Sequence, residues 1–206
     1  MPTPAGYGVA EFTLRSTTDA DCVPMAQLIR RNRRMQSADH TQWGALTWVH
    51  SGQVQTDAKQ RDYIGARAQT NNTGELSAMS YALDRALGRP TGEGGEIIWS
   101  DSLYTINMTT GRWRLRTTRN RRLVARIKEQ WRKLQRRRPN EVELRHVRSH
   151  TLVPGNEVAD WLADGGAHGA GDTLDSALRQ LTRWFHSHSI DISAGARRRQ
   201  GSEGVT

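Results

Sequence analysis

The chain has 206 residues, 35% of them hydrophobic, a single cysteine and a formal net charge of +9. That length allows one sizeable buried core with room for an insertion or a tail. One cysteine, Cys22, excludes an internal disulfide, and no apolar run approaches the roughly 20 residues that a membrane span needs. Cys22 has no His or Cys at zinc-ligand spacing and reads as an ordinary residue.

The positive charge is concentrated. Between Arg112 and Arg138 stand thirteen Lys or Arg and one acid, Glu129, a local net of +12. The rest of the chain is therefore net acidic. Charge packed this way points to a polyanionic partner gripped at one place.

Residues 7–15 read as a strand with Gly6 and Gly8 at its start. Residues 16 to about 42 are polar and irregular, too long for a hairpin turn, and read as an insertion whose middle, Met25 to Met35, suits a short helix. The stretch 46–54 alternates and predicts a strand, and 62–69 a further short one. Leu76, Met79, Leu83 and Leu87 recur at helical spacing and predict a helix over 73–88, stopped by Gly88 and Pro90. Asn72 or Thr73 suits its cap, which puts Glu75 in the first turn, where the helix dipole favours an acid.

Glu96 to Ser100 is a continuous apolar run, the pattern of a strand buried on both faces. It ends at Asp101, and a short helix starts at Ser102. An acid at the carboxyl end of such a strand is where α/β sheets place their sites. Leu123, Val124, Ile127, Trp131 and Leu134 then give the basic stretch one apolar helical face, ended by Pro139. Trp131 belongs to that face, whereas Trp113 lies outside it and suits an exposed contact. A strand is predicted over 141–148, then a loop with His150. Asn156 is expected to cap a helix over 156–166 that carries Asp160. A last amphipathic helix over 173–185 uses Leu174, Leu178, Leu181 and Phe185, and a polar, arginine-bearing tail with a disordered composition follows.

Three carboxylates, Glu75, Asp101 and Asp160, thus stand on separate elements, each beside a strand end or a helix start. This pattern suits a hard divalent cation, which takes oxygen ligands. Thiol and zinc chemistry lack ligands here, and no Gly-x-Ser-x-Gly turn exists to present a serine nucleophile.

At these residues the sequence resembles the type 1 ribonuclease H family. Thr-Asn-Asn-x-x-Glu-Leu stands at 70–76, Asp-Ser-x-Tyr at 101–104, and Ser-His-x-x-x-x-x-Asn-Glu-x-x-Asp at 149–160. The resemblance implies an α/β ribonuclease H-like fold, a mixed central sheet flanked by helices. It places that domain at 1–168 with an insertion at about 16–45, and a helix and basic tail at 169–206. It further implies endonucleolytic cleavage of the RNA strand of an RNA–DNA hybrid with Mg²⁺ or Mn²⁺, by a monomer that needs no membrane.

Carried over by position, Glu75, Asp101 and Asp160 become metal ligands and His150 a mobile loop histidine that assists proton transfer or product release. Asn71 and Asn72 become minor-groove contacts that sense the RNA strand, where the 2′-hydroxyl marks RNA. Asn156 and Glu157 border the site. Arg119, Arg121, Arg122 and Arg126 belong to the substrate-handling stretch. Leu103 departs from the polar amide the family often has there. Met1 to Gly8 resembles the turn after the family's first strand, which carries a further Asp. That strand is expected to be missing from this chain, which reads as a fragment, a mis-started reading frame or a decayed, retroelement-derived copy. A hybrid-binding module without catalysis is the rival reading.

Overall fold

The computed structural model describes residues 4–13, 45–92, 94–115, 120–150, 153–171 and 173–187. The expected Met25–Met35 helix, Cys22 and the tail lie outside the described residues. Two strands open the order, β1 (Gly6–Thr13) and β2 (Ala45–Gln53). They are followed by α1 (Asn71–Leu87), β3 (Glu96–Ser100), α2 (Leu103–Thr110) and α3 (Arg121–Arg137). Then come β4 (Val142–His146), α4 (Pro154–Ala167) and α5 (Leu174–Ser187). Among the described residues no helix is long and apolar enough to cross a membrane.

The strands make two pairs. β1 and β2 are antiparallel, with a register shift between Glu11 and Phe12, and β3 and β4 are parallel. Among the described residues no ladder joins the two pairs into one sheet. Helices cover both faces of the first pair. Side-chain alternation along β1 sorts its residues between two cores. Tyr7 joins Leu76, Met79, Leu83, Leu123, Ile127 and Leu134, which come from α1 and α3. Ala10 and Phe12 join Leu46, Val158, Leu162, Ala177, Leu181 and Trp184, on the α4 and α5 side. A side-chain carbon at Gly6 or Gly8 would collide with the main-chain oxygens of Ala163 and Ala159. Glycine is what lets α4 lie directly on the strand there.

Several expectations change. Residues 62–69 form turns and bends, not a strand. Gly65 at φ +110° breaks any extension there, and a side chain on it would meet the main chain at Leu123. The segment is instead pinned down, with Ala66 buried and Gln69 Nε2 donating to Val54 O at 3.1 Å. β3 is not buried on both faces. Ile98 packs on the core while Ile97 is 43% exposed, because no described helix covers that side. The buried stripe of α5 runs through Ala177, Leu181 and Trp184, with Leu174 packed beside it, and Leu178 is exposed. The sequence pattern had placed Leu178 in that stripe.

Arg138, counted above with the basic stretch, is wholly buried. It pairs with Glu96 at 2.6 Å and Glu141 at 3.0 Å. It also donates to the carbonyls of Ala86 at 3.2 Å and Gly94 at 3.1 Å. One guanidinium thus ties the end of α1, the following loop, the start of β3 and the end of α3. Five donors in a rigid fork make this possible, and lysine cannot replace them. Arg138→Met is expected to lower unfolding free energy by about 3 kcal/mol, since two carboxylates lose their partner. Urea unfolding checks this, and an unchanged midpoint would show that packing alone holds these elements.

Candidate active site

Local chemistry fixes each carboxylate. The cap of α1 is Thr70, not Asn72 or Thr73. Its hydroxyl accepts from Thr73 N at 3.3 Å, and the Thr73 hydroxyl accepts from Thr70 N at 2.8 Å. This reciprocal pair starts the helix at Asn71 and leaves Glu75 beyond the first turn. The helix dipole is therefore not what holds Glu75 in place. Asn71 and Asn72 are released from capping and lie exposed at the open end of α1.

Asp101 is the single residue between β3 and the cap of α2. Ser102 is that cap, accepting from Thr105 N at 3.2 Å. Asp160 sits in the second turn of α4. Here too the expected cap is displaced. The helix begins at Pro154 after Val153, and Asn156 lies inside its first turn. Its amide instead donates to Asp160 Oδ2 at 3.3 Å. His150 is in the loop before α4, exposed, with φ +53° in the left-handed region. A non-glycine residue held there carries local strain.

The structure draws these residues into one electrostatic cluster. Burial raises the Glu75 carboxyl above its usual range, and the Asp101 charge adds to the rise, while a hydrogen bond from the Ser102 hydroxyl opposes it. Burial also pushes Asp160 up, to about 6, helped by the charges of Asp101 and Glu157 and opposed by His150. Asp101 thus acts on both of the other acids. Tyr104 is raised by burial and then by the Glu75 charge. Repulsion of this kind is what a bound cation would relieve. Oxygen donors on three elements match the chemistry of Mg²⁺ or Mn²⁺. Among the described residues, however, no group of three or more His, Cys, Asp or Glu is gathered tightly enough to hold a metal ion.

The arginines divide. Arg121 and Arg122 are exposed at the start of α3. Arg126 is engaged, donating to Asp84 at 2.7 Å and to Ser80 at 2.9 Å. Arg119 lies outside the described residues. Asn120 caps α3 without a side-chain capping bond, and its Oδ1 is buried with no hydrogen-bond partner. The Asn120 side chain therefore does not cap the start of α3, where Arg121 and Arg122 are exposed, a setting that favours an anion. The sequence reading did not single out Asn120, because only its burial reveals it. Trp113 is 48% exposed and Leu103 52% exposed, while Trp131 packs against the core.

The RNase H family matches residues 33–168, more than half of the chain. The chain belongs to the RNase H family, and its α/β architecture is the ribonuclease H-like fold. The match opens after β1, so it does not extend to the likeness noted over Met1 to Gly8. The chain is also similar to RNase H1 from the halophilic archaeon Halobacterium salinarum NRC-1. That likeness has 23% identity and a TM-score of 0.43 over 61% of this chain and 77% of that one. It is similar as well to the N-terminal RNase H domain of rv2228c from Mycobacterium tuberculosis, solved as a fusion with maltose-binding protein. There the identity is 19% and the TM-score 0.41, over 70% and 80% of the two chains. The family match, not these two likenesses, carries the assignment. No curated protein matches the sequence.

The Asp160 shift has a consequence for stability. Its carboxyl titrates near 6 in the fold against an ordinary 3.8. Between those values the native state binds more protons than the unfolded chain, so stability falls as pH rises through the interval. Asp160→Asn removes the charged form. The variant is expected to match the wild type near pH 4 and to exceed it at pH 7 by about 1 kcal/mol, a figure discounted for partial exposure. Melting curves at the two pH values check the sign, and a variant less stable at pH 7 would contradict the crowding.

Proposed function

We propose that this chain is an endoribonuclease that hydrolyses the RNA strand of RNA–DNA hybrids. The carrying observation is the raised pair Glu75 and Asp160 flanking Asp101 in a member of the RNase H family. Glu75, Asp101 and Asp160 would hold Mg²⁺ or Mn²⁺. A divalent pair bound there would supply an activated water and stabilise the leaving oxygen of a phosphodiester.

The remaining work falls to the chain's own side chains. His150, whose charge acts on Asp160, is the side chain that accepts or returns a proton. Asn71 and Asn72 offer amides at the end of α1 nearest Glu75, suited to the 2′-hydroxyl side of a minor groove. Arg121 and Arg122, at the positive end of the α3 dipole, take phosphates without reading sequence.

A second reading has its own support. The three acids are not gathered tightly enough to hold an ion, which fits a module that binds hybrid without cutting it. Incubation of labelled hybrid with Mg²⁺ separates the two. Cleavage by the wild type and a loss well beyond about 100-fold in Asp101→Asn, with hybrid binding retained, are expected of the nuclease. Binding without cleavage in the wild type would favour the module.

The two binding regions are expected to separate under mutation. Changing Arg121 and Arg122 to Gln should weaken binding to hybrid and DNA duplex alike. It should also flatten the salt dependence by roughly 0.9 log–log units per lost phosphate contact. Changing Asn71 and Asn72 to Ala should keep that slope and narrow the preference for hybrid. Titrations at several salt concentrations decide it, and an unchanged slope in the arginine variant would place the grip elsewhere.

A further inference from the structure

The parallel ladder of β3 and β4 runs in register from Glu96 opposite Val142 to Ser100 opposite His146. One more backbone bond follows, Val147 N donating to Ser100 O at 3.0 Å. The next carbonyl along the chain is Asp101 O. Beyond it the chain turns at Ser102, and the first α2 bond, from Ile106 N, goes to Ser102 O. Asp101 O therefore lies past the end of the strand ladder and before the start of the helix ladder. A side chain reaches it instead: His146 Nε2 lies 3.2 Å away.

A carbonyl oxygen only accepts, so Nε2 carries the proton. In the neutral ring this leaves Nδ1 as the acceptor. His146 is exposed and outside both cores. Packing does not require an imidazole there. Among the described residues the interaction that its ring chemistry serves is the hold on the main chain of Asp101, whose charge acts on both Glu75 and Asp160.

We propose that His146 is a positioning residue for the carboxylate cluster, extending the β3–β4 ladder by one side-chain bond to fix the main chain of Asp101. The proposal rests on the nuclease reading for its functional consequence, though not for the bond itself. An outer partner that orients a ligand typically changes metal affinity or activity by about 10–100-fold when it is lost.

The test compares the full chain with His146→Leu, which removes the donor, and His146→Gln, which keeps an N–H of similar reach. Calorimetry with Mg²⁺ alone measures metal affinity. Metal-free titration with hybrid measures substrate binding, and thermal melting monitors the fold. ¹⁵N spectra of the wild-type ring report the tautomer. The expected result is affinity for Mg²⁺ about 10-fold weaker in His146→Leu and recovered to within about 3-fold in His146→Gln, on the scale of an outer partner's effect. Hybrid binding and melting temperature should stay level across the three proteins, and the wild-type ring should carry its proton on Nε2. Unchanged Mg²⁺ affinity in His146→Leu would overturn the proposal. So would a Gln variant no better than Leu, a parallel loss of hybrid binding, or a proton on Nδ1 of a neutral ring. If the wild type takes up no Mg²⁺ while the ring is protonated at Nε2, the nuclease reading falls. Faster amide exchange at Ser102 in His146→Leu would then still support the anchor, and unchanged exchange would overturn it.

Discussion

Burial of the Glu75 and Asp160 carboxyls under the influence of the Asp101 charge is the constraint on which the rest of this structure depends. Partly buried acids repel one another and lose solvation, and both effects favour the neutral form. The fold therefore has to hold them together against their charge. It does so with local devices of several kinds. A reciprocal threonine pair starts α1 at Asn71, Ser102 caps α2, and the Asn156 amide donates to Asp160. Of these, Ser102 also reaches across the site, through its hydrogen bond to Glu75. Glu75 and Asp101 are carried by elements packed in one core and Asp160 by a helix packed in the other.

The arginines illustrate how poorly net charge maps onto function. The same basic stretch contains a buried lock at Arg138, an engaged residue at Arg126, and exposed groups at Arg121 and Arg122. A buried guanidinium with two carboxylates and two carbonyls organises the meeting of four segments. It has no charge left for a polyanion. What remains for phosphates sits at the start of α3, which the Asn120 side chain does not cap. Charge and helix dipole act in the same direction there.

Much of this was legible in the sequence, and the reasons are physical. Long periodic patterns placed α1 and α3 well, because core faces at helical spacing have few alternatives. The acids at 75, 101 and 160 were singled out from motif spacing, and in the structure the Asp101 charge acts on the other two. Caps were misread at both α1 and α4. At α1 several polar residues compete and only the observed bonds choose Thr70, while α4 starts at Pro154 with no side-chain cap, ahead of Asn156. The 62–69 strand failed because Gly65 adopts a positive φ that no periodicity reveals. The roles of His146 and Asn120 were not legible. The first depends on strand register, and the second on burial.

The central claim is that three acids from separate elements share one electrostatic site. The direct measurement is the titration of the Asp160 carboxyl by ¹³C NMR, in the wild type and in Asp101→Asn. The account predicts a midpoint near 6 in the wild type, because burial and the charges of Asp101 and Glu157 raise it. It predicts a lower midpoint in the variant, where one of those charges is gone. A wild-type midpoint at the ordinary 3.8, or one indifferent to Asp101, would contradict it.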